Sequence, residues 1–423
     1  MNPQQKKQLF VLFLTLLVVM IGFGIILPIM PFYAQSLGAT ATHLGLLFAT
    51  YSLMQFLFSP LWGRLSDRVG RKPILLVGLA GMAVSFVLFG FAQTLWMLFA
   101  ARLLGGLLSS AVLPTAMAYV ADSTGHRHRG KGMGLMGAAM GLGMIFGPAI
   151  GGFLGANPTV PFLVAAGLAL LVVGFAAVFL PESLGREVRD RIRSQSQSQP
   201  PGSVHTRVLR ELRGPLGPLL GLSFLSQAAF ASMFGTFALF TEAKLGFGEA
   251  QMGAVFAVMG LVGALGQGIL AGRAIAAWGE ERVTQIGLLV SGVGFWSLLL
   301  SYDLVSLLVL ASGMGLGGAL ITPAISALLS KRTPPERQGA ILGVFHSFQS
   351  LGRIAGPLGG GLVFDLLGYA FPYVLAGGLF LFLGLTANLF TRSQGTGARS
   401  APSPSSSPAS CASLDRSYPP DRS

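Results

Sequence analysis

Residues 44–62 and 74–92 hold no ionised side chain, and between them lies the eleven-residue stretch Gly63-Arg64-Leu65-Ser66-Asp67-Arg68-Val69-Gly70-Arg71-Lys72-Pro73. A helix needs ~20 apolar residues to cross a hydrocarbon core, and each run supplies about that many. Lipid offers backbone N–H and C=O groups no partner but one another, so each run must be helical. The charged stretch then reads as a hairpin at a membrane surface. Gly63 and Gly70 permit close approach and a sharp turn, and Pro73 suits the first turn of the following helix.

The same alternation runs through the chain. Spans are predicted at 9–33, 43–62, 73–92, 95–120, 131–155, 160–180, 216–241, 250–275, 283–302, 304–329, 338–363 and 369–390. With 52% hydrophobic and 10% charged residues, this is an all-α polytopic membrane protein with twelve transmembrane helices. In a soluble protein a net charge of +13 would suggest nucleic acid. Here Lys6, Lys7, the 63–73 stretch, His126 to Lys131, the 182–213 segment, Arg273, Arg282, Lys331 to Arg337 and Arg392 all fall on one side, and Lys244 alone lies in an opposite loop. By the positive-inside rule that side is cytoplasmic, with both termini, and no nucleic acid is expected. The first apolar run is too long for a signal-peptide core and reads as a retained helix. Cys411 is the only cysteine, so no disulfide can form within the chain.

Four segments follow: 1–181 and 214–392 as six-helix bundles, 182–213 as a polar, proline-broken linker, and 393–423 as a Ser/Pro/Gly/Arg-rich disordered tail. The bundles repeat with an offset of 209 residues. Gly63 and Arg64 match Gly272 and Arg273, Gly70 matches Gly279, and Pro114 matches Pro323. The run Gly147-Pro148-Ala149-Ile150-Gly151-Gly152 matches Gly356-Pro357-Leu358-Gly359-Gly360-Gly361. An even number of helices per half makes this a parallel repeat about the membrane normal, with a cargo site expected between halves near the midplane.

The spacing Gly-x-Leu-x-Asp-Arg-x-Gly-Arg-Lys resembles the loop between helices two and three of the major facilitator superfamily. The resemblance implies two pseudo-symmetric six-helix bundles. It also implies a conformational latch of Gly63, Asp67, Arg68, Gly70, Arg71, Lys72 and Asp122. There Asp67 braces a helix end of the other half, Arg71 pairs with Asp122 after helix four, and the set holds an outward-open state closed at the cytoplasmic side. Simple anchoring of the loop is the alternative. In the second half Asp67 is replaced by Ala276 and Arg71 by Glu280, so the full latch reads as present once.

Arg102, in Leu98-Phe99-Ala100-Ala101-Arg102-Leu103-Leu104-Gly105-Gly106, resembles the superfamily's helix-four arginine, which is linked to proton movement; snorkelling to the nearer surface is the alternative. Gly141, Gly147, Pro148, Gly151 and Gly152 resemble the glycine-proline motif of its exporting antiporters, with plain helix packing as the alternative. His346 can titrate near neutral pH and, with Glu242, joins Arg102 as a candidate for proton coupling; a hydrogen-bonded packing role is the alternative for His346. Glu242 and Asp365 equally read as solvated outer-edge residues. The first helix carries Val19 where tetracycline and multidrug exporters often carry an acid, and no acid lies deep in any span.

Gln227, Phe230, Met233, Phe234 and Phe237, with Phe345, Gln349 and Arg353, offer apolar walls with few polar anchors, a surface suited to drug-like molecules. Lipid-facing phenylalanine is the alternative. There is no Walker loop, zinc spacing or nucleophile motif, so no enzyme activity, catalytic residue, metal or cofactor is expected. The expected function is proton-coupled export of hydrophobic drug-like compounds by a multi-pass, monomeric protein of the inner membrane. The rivals are another small-metabolite importer or exporter, and a non-transporting sensor or scaffold.

Overall fold

Why each apolar run becomes one rod, and where the rods break, follows from a few glycines and prolines. A computed structural model of the chain describes residues 3–124, 129–185, 211, 214–334 and 337–391. In the first half α1 spans Pro3–Ser36, α2 Ala41–Val69, α3 Arg71–Gly90, α4 Leu95–Ser109, α5 Val112–Ser123, α6 Arg129–Leu154 and α7 Thr159–Phe179. In the second half α8 spans Gly217–Leu245, α9 Glu249–Leu265, α10 Ala271–Trp278, α11 Glu280–Ser297, α12 Leu304–Lys331, α13 Gln338–Leu367, α14 Phe371–Leu385 and α15 Ala387–Thr391.

Ten helical segments are long and apolar enough to cross a membrane; α4 with α5 counts as one such rod, and so does α9 with α10 through the π turn Gly266–Leu270. The 30-residue α13 is long enough but interrupted by His346, Gln349 and Arg353, and α14 is a shorter apolar helix. Together these make twelve rods. Large apolar side chains such as Trp96, Phe153, Val178, Leu300 and Leu385 point outward, as a lipid-facing surface requires.

The eleven-residue hairpin is not a loop. Helix α2 runs through the charged stretch to Val69, α3 begins at Arg71, and only Gly70 is non-helical, at φ 124° and ψ 157°. A helix supplies its own backbone bonds and can leave the membrane without unwinding, so charge marks the bilayer edge and glycine marks the turn. Gly279 does the same between α10 and α11, at φ 78° and ψ 159°.

Helix pairings are duplicated between halves. Helix α1 packs on α6 as α8 packs on α13; α3 packs on α7 and α4 as α11 packs on α14 and α12. The halves meet where α2 lies along α13 and α6 along α9. Most of the 182–213 linker and the whole of 393–423 lie outside the described residues, as do His126 and Arg392. Glu182 and Glu211 are described at the linker's ends. Glu182 caps α3, and Glu211 pairs with Arg337 at 2.6 Å.

Candidate functional site

At the α2–α3 corner Arg71 is buried, so its guanidinium must be paired. It reaches Asp67 at 2.5 Å and Asp122 at 3.0 Å, and donates to Ser66 Oγ at 2.7 Å. Glu182 accepts from the backbone N–H groups of Arg71 at 2.8 Å and Lys72 at 3.2 Å, where the free amides and positive end of α3 favour a carboxylate. Lys72 Nζ donates to the Ala177 carbonyl at 2.6 Å. The cluster therefore ties α2, α3, α5 and the end of α7 into one corner. Arg68 is exposed, and the Cβ position of Gly63 meets nothing within 4 Å. Asp67 pairs with Arg71 of its own half, the two brought within reach by the turn at Gly70.

The second half has the same bridge with its polarity reversed. Glu280 pairs with Lys331 at 2.6 Å, and these occupy the positions of Arg71 and Asp122 at the 209-residue offset. Glu281 and Arg332 add a pair at 3.1 Å. The second copy is thus inverted, not lost. Applying the offset to Asp122 as well as Arg71 reveals it.

The glycine-proline run of α6 is a packing ladder. A Cβ at Gly143 would lie 2.9 Å from Leu17 O, at Gly147 2.6 Å from Ile21 O, and at Gly151 2.8 Å from Ile25 O, so small residues let α6 lie directly on α1. Gly352, Gly356 and Gly360 repeat the ladder against Phe224, Ala228 and Ser232 of α8. The last glycine of each run crosses between halves. Gly152 abuts Gly253 of α9, with Pro148 beside it, and Gly361 abuts Ala41 of α2.

Those crossings lie toward one face only. Between α6 and α9 they run from Gly152 to Gly141, whose Cβ would lie 3.3 Å from Ala264. Farther toward the basic face, Gly134 and Gly137 of α6 and Gly268 and Gly272 opposite them meet nothing within 4 Å. Along the other seam Gly45 lies against the Pro357 carbonyl, and Asp365 closes the end by accepting from Ala41 N at 3.1 Å and Thr42 N at 2.8 Å. Asp365, still exposed at the edge, is therefore also an inter-half cap on the start of α2. Glu242 is partly exposed near the end of α8. The halves are closed at the face opposite the basic loops and parted at the basic face.

Arg102 does not snorkel. It is 1% exposed, and its guanidinium carbon lies 5.0 Å from the ring centre of Phe48 and 5.4 Å from those of Tyr51 and Phe89. Its Nε and Nη2 are buried without a hydrogen-bond partner. It borders a cavity of about 20 Å³, room for one water-sized group, with Tyr51, Ser85 and Ser109 on the wall. Tyr51, which sequence reasoning passed over, bonds to Ser109 at 3.0 Å and accepts from Gln55 at 3.2 Å.

In the second half Arg353 is half-buried and donates to Ser350 at 2.8 Å; His346 is exposed. Gln349 is buried and donates to Thr322 at 3.4 Å. Of the aromatic wall, Phe230 and Phe234 are partly exposed and paired edge-on at 6.2 Å, and Gln227 packs beside Gly352. Met233, Phe237 and Phe345 are buried in the helix core, where Phe237 contacts Phe256 and Tyr373, so none of the three faces an open cavity. Helical period groups them on a face but cannot say which part of that face is covered.

A sequence profile of the Major Facilitator Superfamily matches residues 12–274 and 219–417. Multidrug resistance protein 2 of Bacillus subtilis (strain 168) is 31% identical over 392 residues, covering 90% of this chain and 95% of that protein. Tetracycline resistance protein, class B, of Escherichia coli is 32% identical over 349 residues, covering 80% and 83%. Among solved structures, the human organic anion transporter MFSD10 (TETRAN) aligns with a TM-score of 0.67 and 26% identity, over 91% of this chain and all of that one.

Proposed function

The chain belongs to the major facilitator superfamily, and from that premise we propose that it is a secondary transporter exporting drug-like amphipathic compounds in exchange for protons. The similarity to multidrug and tetracycline resistance proteins over most of its length supports the cargo class. The observation that carries the mechanism is the one-sided seam. Glycine-to-backbone contacts and the Asp365 cap close one face, while the same helices part at the basic face. By the positive-inside rule the basic face is cytoplasmic, so this is an inward-open state of a protein in the cytoplasmic membrane, with both termini inside.

Residues 1–181 and 214–392 act as two bodies that rock about a cavity between them, with 182–213 as the tether. Arg71, Asp67 and Asp122 in one body, and Glu280 with Lys331 in the other, make each corner stiff enough to rock as a unit. Export requires the Asp365 contact with α2 to break and the cytoplasmic ends to meet. Cargo drives this only through a difference in affinity between the two states. Arg102, His346 and Glu242 are the candidates for responding to the proton, and a monomer contains every part named.

Cells expressing the protein are expected to accumulate less of a hydrophobic fluorescent dye than cells without it, and a protonophore is expected to erase the difference. A difference that survives the protonophore would remove the proton from the mechanism. No difference across a broad dye panel would remove export.

A further inference from the structure

The interior of this protein is cationic. Among the described residues every Asp and Glu lies at or beyond a helix end, whereas Arg102 lies within α4 and Arg353 near the midpoint of α13. Among the described residues neither arginine has a carboxylate partner. A guanidinium in low dielectric is costly unless paired, and its five N–H groups call for acceptors. Arg353 reaches one, the Ser350 hydroxyl, and Arg102 leaves two nitrogens unmatched.

The two arginines lie either side of Tyr51. On the antiparallel α2–α13 seam Gly45 faces Pro357, so Tyr51, six residues nearer the basic face, lies within about two residues, or ~3 Å, of the level of Arg353, four residues back from Pro357. The Arg102 guanidinium carbon lies 5.4 Å from the ring centre of Tyr51. Gln55 adds an amide donor one turn below. Partial exposure of Tyr51, Gln55 and Arg353 puts them where the parted halves admit cargo. The polar groups here are mostly donors. Apolar walls stand beside them, with Phe23 6.2 Å from Tyr51 and the Phe230–Phe234 pair across the seam.

We propose that the cargo is an amphipathic organic monoanion, a carboxylate or sulfonate on a hydrophobic skeleton, whose charged end sits against Arg353 beside Tyr51. Arg102 lies behind Tyr51 and adds positive potential without touching the cargo. The assignment rests on the transport reading above and narrows it: neutral compounds of the same skeleton bind through the walls alone.

The test uses the full chain in proteoliposomes with three fluorescent probes: 8-anilinonaphthalene-1-sulfonate, N-phenyl-1-naphthylamine, which has the same skeleton without the sulfonate, and the cation ethidium. The sulfonate is expected to be moved with an apparent affinity about tenfold above its neutral counterpart, the scale of one charge-assisted hydrogen bond. Arg353→Ala is expected to bring the two within roughly twofold while the neutral probe still moves, and Arg353→Lys to keep most of the preference. Tyr51→Phe, which keeps the ring and removes the hydroxyl, is expected to weaken the preference in part. Equal handling of sulfonate and neutral probe, a preference for ethidium, or a preference untouched by Arg353→Ala would overturn the anion assignment and leave export standing. Movement of none of the three would overturn both.

Discussion

Arg71 and Lys331 sit at equivalent bridges but in unequal surroundings, so removing them has unequal effects. The Arg71 side chain is 9% exposed and serves two carboxylates and a hydroxyl, whereas Lys331 is 68% exposed and serves one. Removing Arg71 breaks two ion pairs and a hydrogen bond and empties a buried position under the α2–α3 corner, whereas removing Lys331 takes away one exposed ammonium from a single pair, a contact worth ~0.2–1 kcal/mol. Arg71→Ala is therefore expected to lower the thermal unfolding midpoint of purified protein several times more than Lys331→Ala. Equal shifts would mean that Arg71 is not a structural centre. The sequence displayed Arg71 and Asp122 plainly. It hid Glu280 and Lys331 because an inverted pair looks like two lost matches when each residue is compared alone. Glu182 was hidden for another reason: a carboxylate that begins a charged linker looks solvated until the start of α3 is found beneath it.

At the scale of the helix, spacing told more than hydropathy. The glycines at intervals of four on α6 and α13 were visible in the chain, and they are where backbones touch. What spacing could not give was which glycines touch a neighbour of the same half and which cross to the other. Gly361 crosses: a Cβ there would lie 2.3 Å from the Ala41 carbonyl, with no flexible side chain to move aside. Gly343, on the same helix nearer the basic face, meets nothing within 4 Å. Gly361→Ala is thus expected to wedge the closed face apart and shift the population toward the outward-open state, while Gly343→Ala leaves it unchanged. Spin labels on the outer ends of α2 and α13 would read the shift as a longer distance in the Gly361 variant only. A distance unaltered by Gly361→Ala would show that the seam yields without opening. The break at Gly70 carries the same lesson from the other side: charge predicted a loop over 63–73, and the helix runs on through the charges to Val69.

On the scale of the molecule, the closed face joins close-packed glycine contacts to one carboxylate, Asp365, seated on a helix start. An exposed anion there is favoured by ~0.3–1 kcal/mol. Asp365→Asn keeps the shape but removes the charge, so it is expected to tilt the two-state balance toward outward-open by up to about fivefold. Labelling by a membrane-impermeant thiol reagent at a cysteine placed on the outer part of the cavity would report it. Unchanged labelling would remove Asp365 from the gate.

A protein that exports a monoanion need not draw only on a proton gradient, which bears on the missing membrane-embedded acid. An interior-negative potential favours outward movement of each negative charge by ~2.3 kcal/mol per 100 mV, about a fiftyfold gradient. In proteoliposomes without a pH gradient, a potassium diffusion potential set by valinomycin is therefore expected to drive the naphthalene sulfonate toward the positive side. Reversing the potassium gradient should reverse the flow, and the neutral naphthylamine should respond less by the charge it lacks. If only a pH gradient moved the sulfonate and the imposed potential did nothing, the moving complex would carry no net charge. Arg102 or His346 would then have to change protonation with each cycle, and the cationic interior would serve the proton and not the cargo.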